Sequence, residues 1–201
     1  MFSWKFIGWF VILVLVGCAR TPDRFEAPAV NPSNAAAQAM ELYDSNGDGA
    51  LDGNELKKCP GLLLKRGEYD ADGDESLNQS EIEGGISKLF GRGTGGTQLR
   101  CFVLYKGRPL SGANVVMEPE PYLGEAVQTA TGTTDGAGTA QLAIPAEYLP
   151  SHLQRVKAVH YGTFKFRITH PTISIPSKYN TETELGYETE VNNPLVRFEL
   201  K

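Results

Sequence analysis

Apolar residues follow three different rhythms along this 201-residue chain. After Lys5 comes an unbroken apolar run, FIGWFVILVLVGC, that ends at Cys18. The 17 residues before that cysteine are too few for a membrane-spanning helix. A positive charge followed by an apolar stretch is the order of a secretory signal. Two segments then read as helices, Asn34 to Tyr43 with Ser33 or Asn34 as its cap, and Gln79 to Phe90, weakened by Gly84-Gly85. Residues 56–69 lie between them and contain Cys59-Pro60-Gly61, so helices there are expected to run little more than a turn or two. Beyond the glycine-rich stretch Gly91 to Gly96 the period becomes two. Leu99 to Tyr105, Ala113 to Met117, Gln128 to Thr133 and Thr139 to Ile144 read as strands, with turns at Lys106-Gly107-Arg108-Pro109 and Asp135-Gly136. In Phe164 to Thr169, Phe164, Phe166 and Ile168 alternate with Lys165, Arg167 and Thr169, the pattern of a half-buried strand. Glu188 to Val191 and Leu195 to Leu200 complete the set. About seven short strands in about 100 residues fit a two-sheet sandwich.

Between the helices the polar residues are ordered. Asp44 to Glu55 reads DSNGDGALDGNE. Asp44, Asn46, Asp48, Asp52 and Glu55 stand at positions 1, 3, 5, 9 and 12, with Gly49 at position 6. Calcium takes six to eight hard oxygens, and a loop wrapped around the ion offers them at alternate residues. The Ala50 carbonyl supplies position 7, Glu55 closes the shell with both oxygens, and position 6 needs a sharp turn. A second loop, DADGDESLNQSE, repeats the spacing with Asp70, Asp72, Asp74, Asn78 and Glu81, and with the Ser76 carbonyl at position 7. Leu51 and Leu77 both occupy position 8. The second loop departs from the pattern at position 6, where Glu75 replaces glycine. A side chain in that left-handed conformation costs about 1–2 kcal/mol, so the second site is expected to bind more weakly.

Both loops resemble the EF-hand family over residues 33–90. The resemblance implies two calcium ions held by Asp44, Asn46, Asp48, Ala50, Asp52 and Glu55, and by Asp70, Asp72, Asp74, Ser76, Asn78 and Glu81. Asp52 and Asn78, at position 9, can act through water. Dockerins also carry paired short-spaced loops but end them in aspartate, unlike Glu55 and Glu81. Because the connection is short and the module buries little apolar area, calcium is expected to supply much of its folding free energy. A constitutive, metal-stabilised module fits better than a switch that opens a large groove.

Charge agrees. The chain has 19 basic and 24 acidic residues, a net charge of −5. Nine of the acids lie in the two loops, which leaves 15 against 19 basic residues elsewhere. No basic stripe with interleaved aromatics is present, so no nucleic-acid partner is expected.

Leu15-Val16-Gly17-Cys18 resembles the bacterial lipobox. In that family the peptide is cut before the cysteine, which then receives acyl chains such as palmitate. This implies a signal peptide over 1–17, lipidation and membrane anchoring at Cys18, and a cell-envelope location. Ala19, in place of the aspartate associated with inner-membrane retention, points to the outer membrane. Residues 18–33, with Pro22, Pro28 and Pro32, read as an extended tether. Cys59 and Cys101 then remain. In an oxidising compartment they either pair as a disulfide or stay as two separate buried thiols. His152, His160 and His170 have no metal-ligand spacing and read as surface or loop residues.

Residues 91–97 read as a linker and 98–201 as the β-rich part. The phrases YKGRPLSGANVVMEP, TGTTDGAGTAQL and IPSKYNTETELGYETEV followed by FEL resemble the carboxypeptidase regulatory-like and transthyretin-like domains. This implies a seven-stranded antiparallel β-sandwich behind a small helical pair. Such domains mostly serve as spacers or binding modules. One transthyretin-like branch hydrolyses 5-hydroxyisourate, with a terminal Tyr-Arg-Gly-Ser and paired histidines. Here the chain ends Val196-Arg197-Phe198-Glu199-Leu200-Lys201 and has neither. A Lys–Asn isopeptide of the kind found in Cna-B-type adhesins would draw on Lys106, Glu118 and Asn193, which read more simply as solvated side chains. Glu118 and Glu120, in the EPEP stretch, read as a stiff extended segment rather than a catalytic pair. No constellation of nucleophile, base and orienting group is visible. The sequence thus describes a non-enzymatic, calcium-binding, lipid-anchored envelope protein with an accessory sandwich. Alternatively, it is an adhesion or assembly module for a protein or glycan partner, in which calcium is purely structural.

Overall fold

The computed structural model describes residues 25–91, 93–190 and 193–201. The expected signal peptide, Cys18 and the first residues of the tether lie outside them, as do Arg92 in the linker and Val191 at the end of an expected strand. Among the described residues, no helix is long and apolar enough to cross a membrane.

The chain has a mixed α+β fold. Its helical part is α1 (Pro32–Tyr43), β1 (Ala50–Leu51), a 3₁₀ turn (Leu56–Lys58), α2 (Pro60–Tyr69), β2 (Leu77–Asn78) and α3 (Gln79–Phe90). The start of α1 differs from the expected one. Asn31 is the cap, accepting the Asn34 amide at 2.9 Å, and Pro32 takes the first helical turn. Proline's fixed φ suits that position and its missing N–H is not needed there. The same rule corrects the reading of Cys59-Pro60-Gly61. Pro60 does not interrupt a helix but begins one, and α2 runs for 10 residues. α3 has the expected bounds, fixed by a capping box between Asn78 and Glu81.

The β-rich part contains β3 (Gly96–Thr97), β4 (Leu99–Tyr105), β5 (Arg108–Pro109), β6 (Asn114–Pro119), β7 (Ala130–Thr133), β8 (Thr139–Leu142), β9 (Val159–His160), β10 (Thr163–Thr169), β11 (Gly186–Glu188) and β12 (Leu195–Leu200). One sheet has the order β11-β10-β6-β7 and is antiparallel throughout. In the other, β4 is central. β12 lies on one side of it, and β5 and β8 share the other. Here the all-antiparallel expectation fails, because β12 pairs with β4 in parallel, Leu195 opposite Arg100 through Leu200 opposite Tyr105. The stretch TGTTDGAGTAQL is not a simple hairpin either. β7 and β8 belong to different sheets, and the bridge between their segments joins Thr131 to Ala143, just past the end of β8. The Lys106-Gly107 turn is the tight one, with φ of 50° and 76°, the left-handed pair that joins twisted strands in two residues.

The alternation along the strands builds the core. Phe164, Phe166 and Ile168 of β10 are fully buried. The Phe166 ring meets Phe198 of β12, from the other sheet, at 4.8 Å between centroids. Buried residues of the helical part, among them Ala36, Leu62 and Ile82, belong to the same continuous cluster. The expected linker therefore does not separate two independent cores. Gly96 and Thr97 pair with His160 and Val159, and the Gly95 amide donates to the Phe25 carbonyl at 2.7 Å. The last part of the expected tether is thus docked, with the Phe25 ring against His160. At Gly186 the Pro60 carbonyl of α2 passes so close to β11 that an added Cβ would overlap it. Cys59 and Cys101 are free thiols, both buried, so the second of the two alternatives holds. Burial pushes Cys101 up to about 12.

His160 is a further correction, because it is buried rather than superficial. Its Nδ1 accepts the Gln128 amide at 3.0 Å, which requires the neutral ring. Burial depresses its pKa from 6.5 to about 4. A group charged more readily in the unfolded chain favours unfolding once protonated. Its stabilising contribution is complete above about pH 6.5 and is lost as pH falls toward about 4. Thermal melts at pH 7 and pH 5 should therefore differ more for the natural protein than for His160→Asn. Equal pH sensitivity in the two would remove His160 from this account.

Candidate metal centre

The two acidic loops leave their helices in the same way. α1 ends at Tyr43 and α2 at Tyr69, so each first aspartate follows a buried tyrosine. Asp44 accepts the amides of Gly47 at 2.7 Å and Gly49 at 3.0 Å. Asp70 accepts those of Gly73 at 2.7 Å and Glu75 at 3.0 Å. Position 6 is left-handed in both loops, with φ of 89° at Gly49 and 66° at Glu75. Glu75 thus adopts the costly conformation that its position demands.

The remaining oxygens follow the same plan. Asn46 and Asp48 accept the amides of Asp48 and Ala50 at 2.9 and 3.0 Å. Asp72 and Asp74 accept those of Asp74 and Ser76 at 3.2 and 2.8 Å. Asp52 and Asn78 cap the turns that follow, accepting the amides of Glu55 at 2.9 Å and Glu81 at 3.2 Å. The closing glutamates reach back across each loop. Glu55 takes the Ser45 amide at 2.8 Å on one oxygen and the Asp52 amide at 3.1 Å on the other. Glu81 takes the Ala71 amide at 2.7 Å and the Asn78 amide at 3.0 Å. The Asp52 amide and then Ser45 hold the Glu55 carboxyl below the usual range, against its burial. The Ser76 hydroxyl and amide do the same for Asp74.

The loops lie side by side. Ala50 pairs with Asn78 and Leu51 with Leu77 in a two-stranded ladder, and both leucines are fully buried. Within the second loop, carboxylate oxygens of Asp70, Asp72 and Asp74 come within 4.8 Å of one another. In the first loop the Asn46 amide group bonds Asp48 at 2.8 Å. Every side chain assigned to the two sites from sequence is therefore carried by one of two matching loops. Their oxygens are hard donors of the kind calcium takes, and backbone amides already hold most of them in place.

The sequence reading missed what stands behind the loops. The Tyr43 hydroxyl donates to Glu120 at 3.4 Å, and the Gly61 amide donates to the same carboxylate at 3.0 Å. Glu120 is 0% exposed, and burial raises its pKa even against the Gly61 bond. The Cys59 thiol lies against it, pushed far up by burial and then by the Glu120 charge. The Tyr69 hydroxyl in turn donates to buried Glu188 at 2.5 Å. Glu120 follows β6 and Glu188 ends β11, and these two strands flank β10. The tyrosine before each loop is thus tied to a carboxylate on the same sheet. Gly85 of α3 leaves the space the Tyr69 ring occupies, since an added Cβ would overlap that ring. The doubled Tyr-Asp step was the available signal. Nothing in EPEP marked Glu120 as buried.

Other candidates are kept apart. Glu118 pairs with Arg167. Lys106 lies over the Tyr105 ring at the far turn of the other sheet, and the Asn193 carbonyl accepts the Tyr187 hydroxyl at 3.3 Å. No protein-family model, no curated protein and no solved structure matches this chain.

Tyr69→Phe removes a buried hydrogen bond to a charged group, which should cost about 1.5–3 kcal/mol in urea unfolding. Tyr43→Phe should cost less, because its bond is longer. A loss below about 0.5 kcal/mol, as for an ordinary surface change, at Tyr69 would contradict this anchoring.

Proposed function

We propose that this protein is a non-enzymatic calcium-binding protein of the cell envelope, anchored through lipidated Cys18. In this reading residues 34–90 are an EF-hand pair and the β-rich part is an accessory transthyretin-like sandwich. The observation that carries it is the matched pair of loops. Asp44, Asn46, Asp48, Asp52 and Glu55 recur as Asp70, Asp72, Asp74, Asn78 and Glu81, with the same amide bonds to the first and twelfth residues. Two-stranded pairing at position 8 supports treating them as one unit.

Ala50 and Ser76 would contribute through their carbonyls, and Asp52 and Asn78 through water. A bound divalent cation supplies positive charge to side chains that otherwise repel one another. The chain's own residues supply the rest: loop amides orient the carboxylates, Leu51 and Leu77 close the floor, and Tyr43 and Tyr69 fix the loops against the sheet. The second site is the weaker one in this proposal because Glu75 is held at positive φ, at a cost of about 1–2 kcal/mol. Outer-membrane placement and a protein or glycan partner for the sandwich belong to the same reading, and no nucleic-acid role does. The second reading keeps the anchor and makes the ion purely structural. It is favoured by the shared core, since a loop pair packed on the sheets stabilises the whole chain when it binds.

Calorimetric titration of calcium into the purified protein tests the proposal. Two binding events are expected, and Asp44→Ala should remove the tighter one and leave the weaker. Binding should stabilise the fold by about 2.7 kcal/mol at a free concentration one hundred times the dissociation constant. Absence of heat and of any stabilisation at millimolar calcium would refute it. Glu55→Gln separates the two readings: loss of partner capture with an intact fold supports a functional ion, and a lowered melting temperature alone supports a structural one.

A further inference from the structure

The outer face of the β11-β10-β6-β7 sheet carries a polar cleft that the calcium reading does not use. Its volume is about 330 Å³, and it is lined by Lys57, Lys58, Lys165, Arg167, Glu118 and Glu182, with Asn180, Thr181 and Thr183 along one side. Three parts of the chain build it. Lys57 and Lys58 come from the 3₁₀ turn that follows Glu55. Lys165 and Arg167 are the outward residues of β10, two apart and so on one face. The segment around Asn180 is tied down where the Asn180 amide donates to the Ile175 and Pro176 carbonyls at 2.9 and 3.1 Å.

Charge distinguishes this cleft. The chain as a whole is acidic, at −5, yet four cationic side chains meet two carboxylates here. Both carboxylates are engaged: Glu118 pairs with Arg167, and Glu182 accepts the Ser177 hydroxyl at 2.8 Å. Lys57 donates to Asn54 at 2.9 Å, a neutral partner that leaves its charge uncompensated. Among the described residues, Lys58 and Lys165 have no ion-pair partner. Lys165 also stands close enough to buried Glu120 to act on its charge. The lining side chains thus carry more positive than negative charge in a walled space, a surplus that buried Glu120 offsets in part through Lys165.

We propose that this cleft binds a dianionic phosphate monoester group. The cationic surplus suits the negative charge of such a group near neutral pH, and lysine ammonium groups with a neighbouring guanidinium are suited to its oxygens. A volume of about 330 Å³ accommodates a phosphate with a sugar or glycerol unit attached. That chemistry is shared by a soluble sugar phosphate and by the headgroup of a phosphatidic-acid lipid. The cleft stands on its own residues and does not require that the loops hold calcium.

The test uses the purified protein with two probes, glucose 6-phosphate by calorimetry and vesicles of phosphatidylcholine with or without phosphatidic acid by co-sedimentation. Heat with the sugar phosphate and no phosphatidic-acid-dependent sedimentation supports a soluble ligand. Sedimentation that depends on phosphatidic acid supports a lipid headgroup. In either case the exposed Lys57→Gln/Lys58→Gln pair should weaken binding about tenfold with an unchanged melting temperature, and Lys165→Gln should weaken it by a similar factor. Binding should also fall with added salt. The proposal is overturned if neither probe binds, if binding is indifferent to both variants, or if glucuronate, a monocarboxylate of similar size, binds more tightly than glucose 6-phosphate.

Discussion

A carboxylate taken out of water must find hydrogen-bond donors, and in this chain two buried glutamates find theirs on the residues that open the acidic loops. Glu120 takes the Tyr43 hydroxyl and the first free amide of α2, at Gly61, while Glu188 takes the Tyr69 hydroxyl. An unpaired buried carboxylate would be costly, so the sheet holds the helical part in register as well as in contact. α1 and α2 must end where they do for both tyrosines to reach the same sheet. The loops begin one residue later, so these two bonds set where each loop leaves its helix. Gly186 and Gly85 serve this arrangement. One lets the start of α2 pass over β11, and the other leaves room for the Tyr69 ring.

A helix–loop pair this short, standing free, would have little apolar surface to bury. Here Leu62, Ile82 and Ala36 share their cluster with the residues of both sheets. Stability is therefore pooled, and the linker carries strand β3 rather than a free hinge. The loops themselves bury little. They are held by backbone amides donated to carboxylates, an arrangement that concentrates negative charge at two points and that a cation, in the proposed reading, would neutralise. That division of labour, apolar packing for position and oxygens for the ion, underlies the functional proposal.

Much of this was legible in the sequence, for physical reasons that differ by element. The loops were legible as a pair because the same oxygen-bearing side chains recur in both at the same spacing, and each set takes the same backbone amides. α3 was legible because Asn78 and Glu81 form a local cap, and β10 because its two faces meet core and solvent. What stayed hidden depended on long-range packing. Pro60 looked like a break until its place at the start of α2 was seen. The parallel partnership of β4 with β12 has no local signature, since the two strands lie some 90 residues apart in sequence. His160 and Glu120 are ordinary polar residues in the sequence and become buried only through elements packed from elsewhere. Cys59 and Cys101 left two options open because cysteine spacing alone does not set distance.

Amide hydrogen exchange in calcium against chelator tests the central claim most directly. The amides of Gly47, Gly49, Gly73 and Glu75, which donate to the first aspartate of each loop, should exchange markedly more slowly in calcium. The strand amides of β4 and β12 should change far less. Unchanged exchange at those four loop amides would contradict the account.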